Sequence, residues 1–251
     1  MSLEKEEIRD IEQVKELIKS YPDFPSEGVL FRDIFPIFQN PSALDCLLNN
    51  LVEQALEFAK KQGSIKIDAV VGLDARGFLF GPTLALKLQA KFVPVRKVGK
   101  LPGQTIKFTY VKEYGQDVME IQADAILKDE KVLIVDDLLA TGGTCSAAEN
   151  LVSQLGATVV LNQFVIELSD LKGRDLLTAP IYSILSFGAW IHHLKKVTES
   201  LRFRIVRDDT ESQTAISGLG RRVGQLDAGQ TENAEYQGTK PDQSPHVRLA
   251  S

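Results

Sequence analysis

The chain has 251 residues, 43% of them hydrophobic, which is enough to bury one good core, and length alone allows one large domain or two small ones. With 29 Lys and Arg against 34 Asp and Glu the formal net charge is −5, which disfavours nucleic-acid partners, and no segment reaches the apolar length of a bilayer span, which disfavours a membrane partner. Cys46 and Cys145, the two cysteines, lack C-x-x-C or Cys/His ligand spacing, so neither a disulfide nor a zinc site is expected, and Cys145 reads as a small packed residue, with a reactive thiol as the alternative; the charged Met-Ser-Leu-Glu-Lys-Glu-Glu start is no secretory signal, so the expected compartment is the cytoplasm.

From Leu3 to Tyr21, Ile8, Ile11, Val14 and Ile18 recur among charges and predict an amphipathic helix. A turn around Pro22 to Gly28 leads into Val29-Leu30-Phe31-Arg32-Asp33-Ile34, and Asn40-Pro41 starts a helix through Leu44, Leu48, Leu51, Ala55 and Phe58. Strands and helices then alternate: Ile67 to Leu73 a strand, Phe80 to Gln89 a helix, Phe92 to Arg96 and Lys131 to Asp136 strands, Ser146 to Leu155 a helix, Thr158 to Leu168 a strand. This order predicts an α/β fold with a parallel sheet, right-handed crossovers and a ligand at the carboxyl ends of the strands. Between Arg96 and Lys128, Gly99, Pro102, Gly103, Thr105, Tyr110, Tyr114 and Gly115 mix with charges, too polar for a core and too long for a simple connection, so a mobile hairpin or lid is expected. Beyond Phe187 small polar and charged residues dominate. Residues 1–187 are therefore expected to form the functional domain, and 188–251 an extension of unknown role, mostly disordered, with a short helix from Trp190 to Leu201 left open.

The run Val132-Leu-Ile-Val-Asp136-Asp137-Leu-Leu-Ala140-Thr141-Gly142-Gly143-Thr144 carries the most chemistry. Its apolar half reads as a buried strand and its second half as an anion-binding loop opening a helix. Gly142 and Gly143 can take positive φ and let the backbone approach a ligand, while Thr141, Thr144 and the first N–H groups of the helix supply donors to a phosphate. Carboxylates accept hydrogen bonds but repel phosphate, so Asp136 and Asp137 suit the hydroxyls of a sugar beside that phosphate. The run is not Walker A, which needs a Lys after its last Gly, nor the dinucleotide G-x-G-x-x-G. His192, His193 and His246 all fall in the last quarter of the chain, so acid–base work in the patterned region is left to a carboxylate, Tyr or Lys.

The run is similar to the phosphoribosyl-diphosphate signature of the type I phosphoribosyltransferases. Tyr21-Pro-Asp-Phe-Pro-Ser-Glu-Gly-Val-Leu-Phe31-Arg32-Asp33-Ile34, Gly72-Leu-Asp74-Ala-Arg76-Gly-Phe-Leu-Phe-Gly-Pro82, Arg96-Lys97-Val-Gly-Lys100-Leu-Pro-Gly103 and Glu113-Tyr114-Gly115 resemble the adenine phosphoribosyltransferases block for block and in order. The resemblance implies the type I phosphoribosyltransferase fold: a central parallel sheet flanked by helices, with a flexible lid hairpin and a largely disordered C-terminal tail. It implies a dimeric purine-salvage enzyme that joins adenine to phosphoribosyl diphosphate, giving AMP and pyrophosphate, with Mg2+ bound mainly through the diphosphate and no metal ligand assigned to the chain.

The roles that the resemblance carries over are these. Phe31, which offers a ring face for stacking, and Arg32 form the base platform, with Leu30 backbone groups pairing with the base edge and Leu168 also in contact with substrate. Asp74, Ala75 and Arg76 end a strand and open a helix, offering N–H groups and a guanidinium to the diphosphate, and Lys97 and Lys100 are cations near the lid. Ala140, Thr141, Gly142, Gly143 and Thr144 hold the phosphate, and Asp136 and Asp137 the ribose. Glu113, with Tyr114 beside it, is the carboxylate that manages the proton adenine sheds, directly or through water. Arg76, Lys97 and Glu113 are the expected catalytic residues. Two other readings stand beside this one: a hypoxanthine/guanine or xanthine phosphoribosyltransferase, opposed by the Phe31-Arg32 and Glu113-Tyr114 blocks, and a non-catalytic phosphoribosyl-diphosphate-binding regulator, opposed by the lack of a helix-turn-helix and by the acidic balance.

Overall fold

The computed structural model describes residues 7–64, 66–111 and 116–188. Glu113 and Tyr114, the first residues of the expected N-terminal helix, and the extension with its Trp190 to Leu201 segment and its expected disorder lie outside them.

Helix α1 (Ile11–Glu16) is capped by Asp10, whose carboxylate accepts from the Glu12 N–H at 3.0 Å. It is shorter than its apolar periodicity predicts. Residues that continue the pattern instead form strand β1 (Lys19–Pro22), antiparallel to β2 (Leu30–Asp33) with Tyr21 opposite Phe31. Pro22 disfavours helical backbone at Tyr21, and β2 supplies a hydrogen-bonding partner that periodicity does not reveal. This two-stranded ribbon carries Leu30, Phe31 and Arg32. A short helix α2 (Phe35–Phe38) follows, and then α3 (Pro41–Lys61) starts where predicted: Asn40 Oδ1 accepts from the N–H groups of Ser42 and Ala43, and Leu47, Leu48, Leu51, Ala55 and Ala59 face inward.

Strands β3 (Ala69–Leu73) and β4 (Lys91–Lys97) are joined through a 3-10 turn, Arg76–Leu79, and helix α4 (Gly81–Leu88). The polar segment beyond β4 forms a hairpin, β5 (Thr105–Val111) and β6 (Gln116–Gln122). It is not as polar in place as in sequence, since Met119, Ile121 and Ile126 are buried. Strand β7 (Lys131–Leu139), helix α5 (Gly143–Gln154), strand β8 (Thr158–Leu168) and an edge strand β9 (Ile181–Phe187), absent from the sequence expectation, complete the chain order. One sheet results, in order β5-β6-β4-β3-β7-β8-β9: β4, β3, β7, β8 and β9 run parallel, while the hairpin joins antiparallel through Arg96 opposite Glu120. The expected parallel sheet is therefore mixed at one edge.

Alternate residues of the central strands point into two cores. Val70, Leu133 and Val135 meet α3 and α4 on one face; Ala69, Val71, Val132 and Ile134 meet α5 residues such as Ala148 and Leu151 on the other. With both faces covered, the carboxyl ends of β3, β7 and β8 are left for function.

Candidate active site

The loop that follows β7 leaves it at Leu139, and α5 starts at Gly143, three residues earlier than the sequence pattern indicates, so Thr144 and Cys145 lie in its first turn. Gly142 takes the left-handed conformation, φ 82°, and no side chain caps the helix. The first N–H groups thus face outward beside the Thr141 and Thr144 hydroxyls, which is the arrangement an anion requires. Ala140, Thr141, Gly142, Gly143, Thr144, Asp136 and Tyr110 line a cavity of about 170 Å³. Of the two glycines able to take positive φ in this loop, only Gly142 does so. Gly142 is also pressed from behind: a Cβ there would stand 2.4 Å from the Gly173 carbonyl oxygen.

Asp136 and Asp137 both lie within β7, which runs three residues beyond its predicted end, so they point to opposite faces. Asp136 lines that cavity, and its Oδ1 accepts from the Asp137 N–H at 2.9 Å. Asp137, buried, pairs with Arg76 Nε at 3.0 Å. Burial, followed by the charge of Asp137, pushes the Asp136 carboxyl well above its ordinary range; burial also raises Asp137, with Arg76 opposing. Ribose hydroxyls donating to these oxygens would favour the ionised forms.

Arg76 is positioned by its neighbour. A Cβ on Gly77 would stand 2.5 Å from the Val135 carbonyl oxygen, so only glycine lets the Asp74–Leu79 turn lie against β7. The guanidinium then spans Asp137 and the Phe31 ring, whose centroid is 6.0 Å from Cζ. Phe31 is braced edge-on by Phe24 at 5.1 Å. Arg32 lies with its guanidinium 3.9 Å over the Phe187 ring and donates to the Ser20 hydroxyl, tying the β2 ribbon to the end of β9. Leu168 ends β8 opposite Phe187 and packs on the core, and Leu30 ends the ribbon opposite Pro22.

On the other side of Arg76, Asp74 accepts from Arg96 Nε at 2.8 Å, across an Asp74–Ala75 peptide that is cis. Arg96 also donates to the Lys100 carbonyl at 3.2 Å. The Lys100 and Leu101 N–H groups and the Thr105 hydroxyl all donate to buried Glu120, and these bonds hold its carboxyl below the usual range although burial acts the other way. Lys97, exposed, has its ammonium 3.6 Å from Asp117 on β6. Arg76 thereby links Phe31 to Asp137 beside the end of β7, Asp74 is held by Arg96, and Lys97 is turned toward the hairpin.

Sequence reasoning did not assign Arg96, Glu120, Tyr110 or the Gly173 turn to the site. Arg96 stood inside a quoted block, but nothing local marks a carboxylate that organises a loop twenty residues away. Two further networks support the site. Arg174 clasps Glu167 through Nε and Nη2 at 2.5 and 2.6 Å, fixing the Gly173 turn, and this pairing lowers the Glu167 carboxyl. Cys145 is buried and donates to Asn162 Oδ1 at 3.3 Å; burial pushes its thiol well up, in keeping with a packed role.

A family model described as a phosphoribosyl transferase domain matches residues 47–172. An adenine phosphoribosyltransferase of Candida albicans is 54% identical over 172 residues, covering 68% of this chain and 88% of that protein. Adenine phosphoribosyltransferase 1 of Saccharomyces cerevisiae is 50% identical over 70% of this chain and 92% of its own length. The crystal structure of a Saccharomyces cerevisiae adenine phosphoribosyltransferase complexed with an imino-altritol bisphosphate and adenine superposes with a TM-score of 0.65 at 50% identity, covering 70% of this chain and 98% of that one. A Giardia lamblia enzyme complexed with 9-deazaadenine gives 0.63 at 32% identity, over 72% of this chain and 99% of its own.

Proposed function

Because the chain belongs to the adenine phosphoribosyltransferases, we propose that its cleft transfers the 5-phosphoribosyl group from phosphoribosyl diphosphate to adenine, giving AMP and pyrophosphate in purine salvage. The observation that carries this reading is Arg76, which joins the ring of Phe31 to the buried acid Asp137 and so puts a stacking surface, a carboxylate and a cation side by side.

Each residue has a task in that reaction. The 5′-phosphate sits on the Ala140, Thr141, Gly142, Gly143 and Thr144 backbone and hydroxyls, and Asp136 and Asp137 accept from the ribose hydroxyls. Adenine stacks on Phe31 beside Leu30, Arg32 and Leu168. A ring nitrogen of adenine bonds to the ribose C1 as the C1–O bond to pyrophosphate breaks, with the electron pair leaving on pyrophosphate. Positive charge develops on the sugar and negative charge on the leaving group, so the Asp74, Ala75 and Arg76 turn, Lys97 and Lys100 act by electrostatic stabilisation and by positioning. Glu113, flanked by Tyr114, receives the proton that adenine sheds.

Among the described residues no three His, Cys, Asp or Glu side chains cluster so as to hold a metal ion. Magnesium enters the proposal as a companion of the diphosphate oxygens. A homodimer is part of the proposal, supported by the exposed apolar side chains of Phe35, Leu79 and Leu86 on α2, the 3-10 turn and α4. The cytoplasm is its compartment, supported by two free cysteines; no described helix is long and apolar enough to cross a membrane. Residues 1–187 constitute the catalytic domain and 188–251 an extension, supported by relatives matched over nearly their full length by 70% of this chain. The test is pyrophosphate release assayed in parallel with adenine, hypoxanthine, guanine and orotate. Release with adenine alone is expected; equal or greater release with another base would overturn the assignment.

A further inference from the structure

The phosphate cavity has a wall contributed by the hairpin. Tyr110, on β5, places its hydroxyl 2.9 Å from Thr144 Oγ1, and its ring edge lies against α5: a Cβ on Gly143 would stand 2.8 Å from Tyr110 Cε2 and 3.0 Å from Cδ2. Gly143 therefore needs to be glycine for the sake of this ring and not for its φ. The tyrosine hydroxyl also donates to Asp117 Oδ2 at 3.4 Å, a longer and weaker bond than the 2.9 Å one to Thr144, to an acid that has Lys97 beside it, so the nearer threonine oxygen is the better-placed acceptor for its single proton.

A threonine hydroxyl has one proton, two lone pairs and a free rotor. If a lone pair accepts from a fixed tyrosine, the threonine proton must point elsewhere, and a phosphate in the adjoining cavity is the strongest acceptor available to it. A chain of tyrosine to threonine to phosphate polarises each bond in turn, strengthening both. We propose that Tyr110 is a positioning residue for the 5′-phosphate: it donates to Thr144 Oγ1, aims that hydroxyl at the phosphate, and so ties the hairpin to occupancy of the phosphate loop. This rests on the reading of residues 140–144 as the phosphate cradle. The ring keeps the hairpin on α5 and the hydroxyl sets the direction of the Thr144 proton, so the two parts of the side chain are separable by mutation.

The test is a double-mutant cycle of Tyr110→Phe and Thr144→Val in the full chain, with initial rates measured against phosphoribosyl diphosphate and against adenine. Tyr110→Phe keeps the ring and is expected to raise the phosphoribosyl-diphosphate KM about three- to tenfold, as loss of one hydroxyl hydrogen bond does. The adenine KM should be unchanged, kcat should stay within about twofold, and the thermal midpoint within about 2 °C. In the Thr144→Val background Tyr110→Phe should add nothing further, because a residue that acts through another has no independent effect. If Thr144→Val raises KM but Tyr110→Phe does not, or if the two effects multiply, the proposal falls and the phosphate cradle stands. If Thr144→Val leaves the phosphoribosyl-diphosphate KM unchanged, the cradle reading falls and the proposal with it. A loss of kcat in step with a lowered midpoint in Tyr110→Phe would mean that the tyrosine only holds the fold together, and would also overturn it.

Discussion

Replacing Gly173 with alanine probes how firmly the phosphate loop is held from behind. A Cβ at Gly173 would stand 2.3 Å from the Ala140 carbonyl oxygen and 3.0 Å from the Gly142 nitrogen, a shortfall of about 1.1 Å against the 3.4 Å at which ordinary contact begins. Something must move by that amount. The Gly173 turn is clasped by the Arg174–Glu167 pair and by Ser169 Oγ donating to the Phe187 carbonyl, so the displacement falls largely on the phosphate loop. A misplacement of about 1 Å at a substrate-positioning group costs on the order of 10²-fold, which is the loss expected in kcat/KM for phosphoribosyl diphosphate. The overpacking itself costs about 1–3 kcal/mol, or a fall of roughly 2–12 °C in thermal midpoint for a domain of this size. The adenine KM should change little, because Phe31 and Leu168 belong to other elements. Initial rates with phosphoribosyl diphosphate varied at saturating adenine decide the matter. A variant within about threefold of the parent and equal to it in midpoint would show that the contact imposes no restraint on the loop. Adding Arg174→Ala frees the turn to retreat and should restore part of the lost kcat/KM.

Three further outcomes are expected. Asp136→Asn removes a carboxyl whose pKa is raised in the folded state, a state that binds more protons than the unfolded chain in that window and so loses stability as pH rises through it. Thermal scans should show the variant gaining on the parent as pH rises above the ordinary carboxylate range, while calorimetry shows phosphoribosyl-diphosphate affinity about 10- to 100-fold weaker for want of a charge-assisted bond; an unchanged pH dependence and affinity would refute both halves. Glu113→Gln should lower kcat by about 10²-fold or more in steady-state assays if the carboxylate takes the proton directly, and a change below about threefold, shared by Glu113→Leu, would remove it from proton transfer. Deletion after Phe187 should leave activity per folded molecule in place, because every group assigned to phosphate, ribose or base lies earlier; a soluble, folded truncation without activity would show that the extension reaches the site.

What was legible in the sequence was whatever local chemistry determines. Asn40-Pro41 and the apolar spacing that follows specify α3 within a residue or two, because a cap and a 3.6-residue period act over one or two turns. The apolar runs ending in Leu73, Asp136 and Leu168 specify the central strands, since no other short element is buried on both faces, and Ala140 to Thr144 specify a glycine-bearing loop that opens a helix. The tertiary structure decided everything that depends on a partner distant in sequence. Residues Lys19–Pro22 became a strand because β2 was there to pair with them, Ile181–Phe187 became an edge strand because β8 offered an open side, and the polar hairpin buried Met119 and Ile121 because it joined the edge at β4. The division of Asp136 and Asp137 between cavity and guanidinium, the bond from Arg96 to Asp74, the loop organised by Glu120 and the tyrosine against Gly143 have the same origin. Each joins side chains whose proximity follows from the closing of the sheet, and a periodicity read along one chain carries no term for what lies across it.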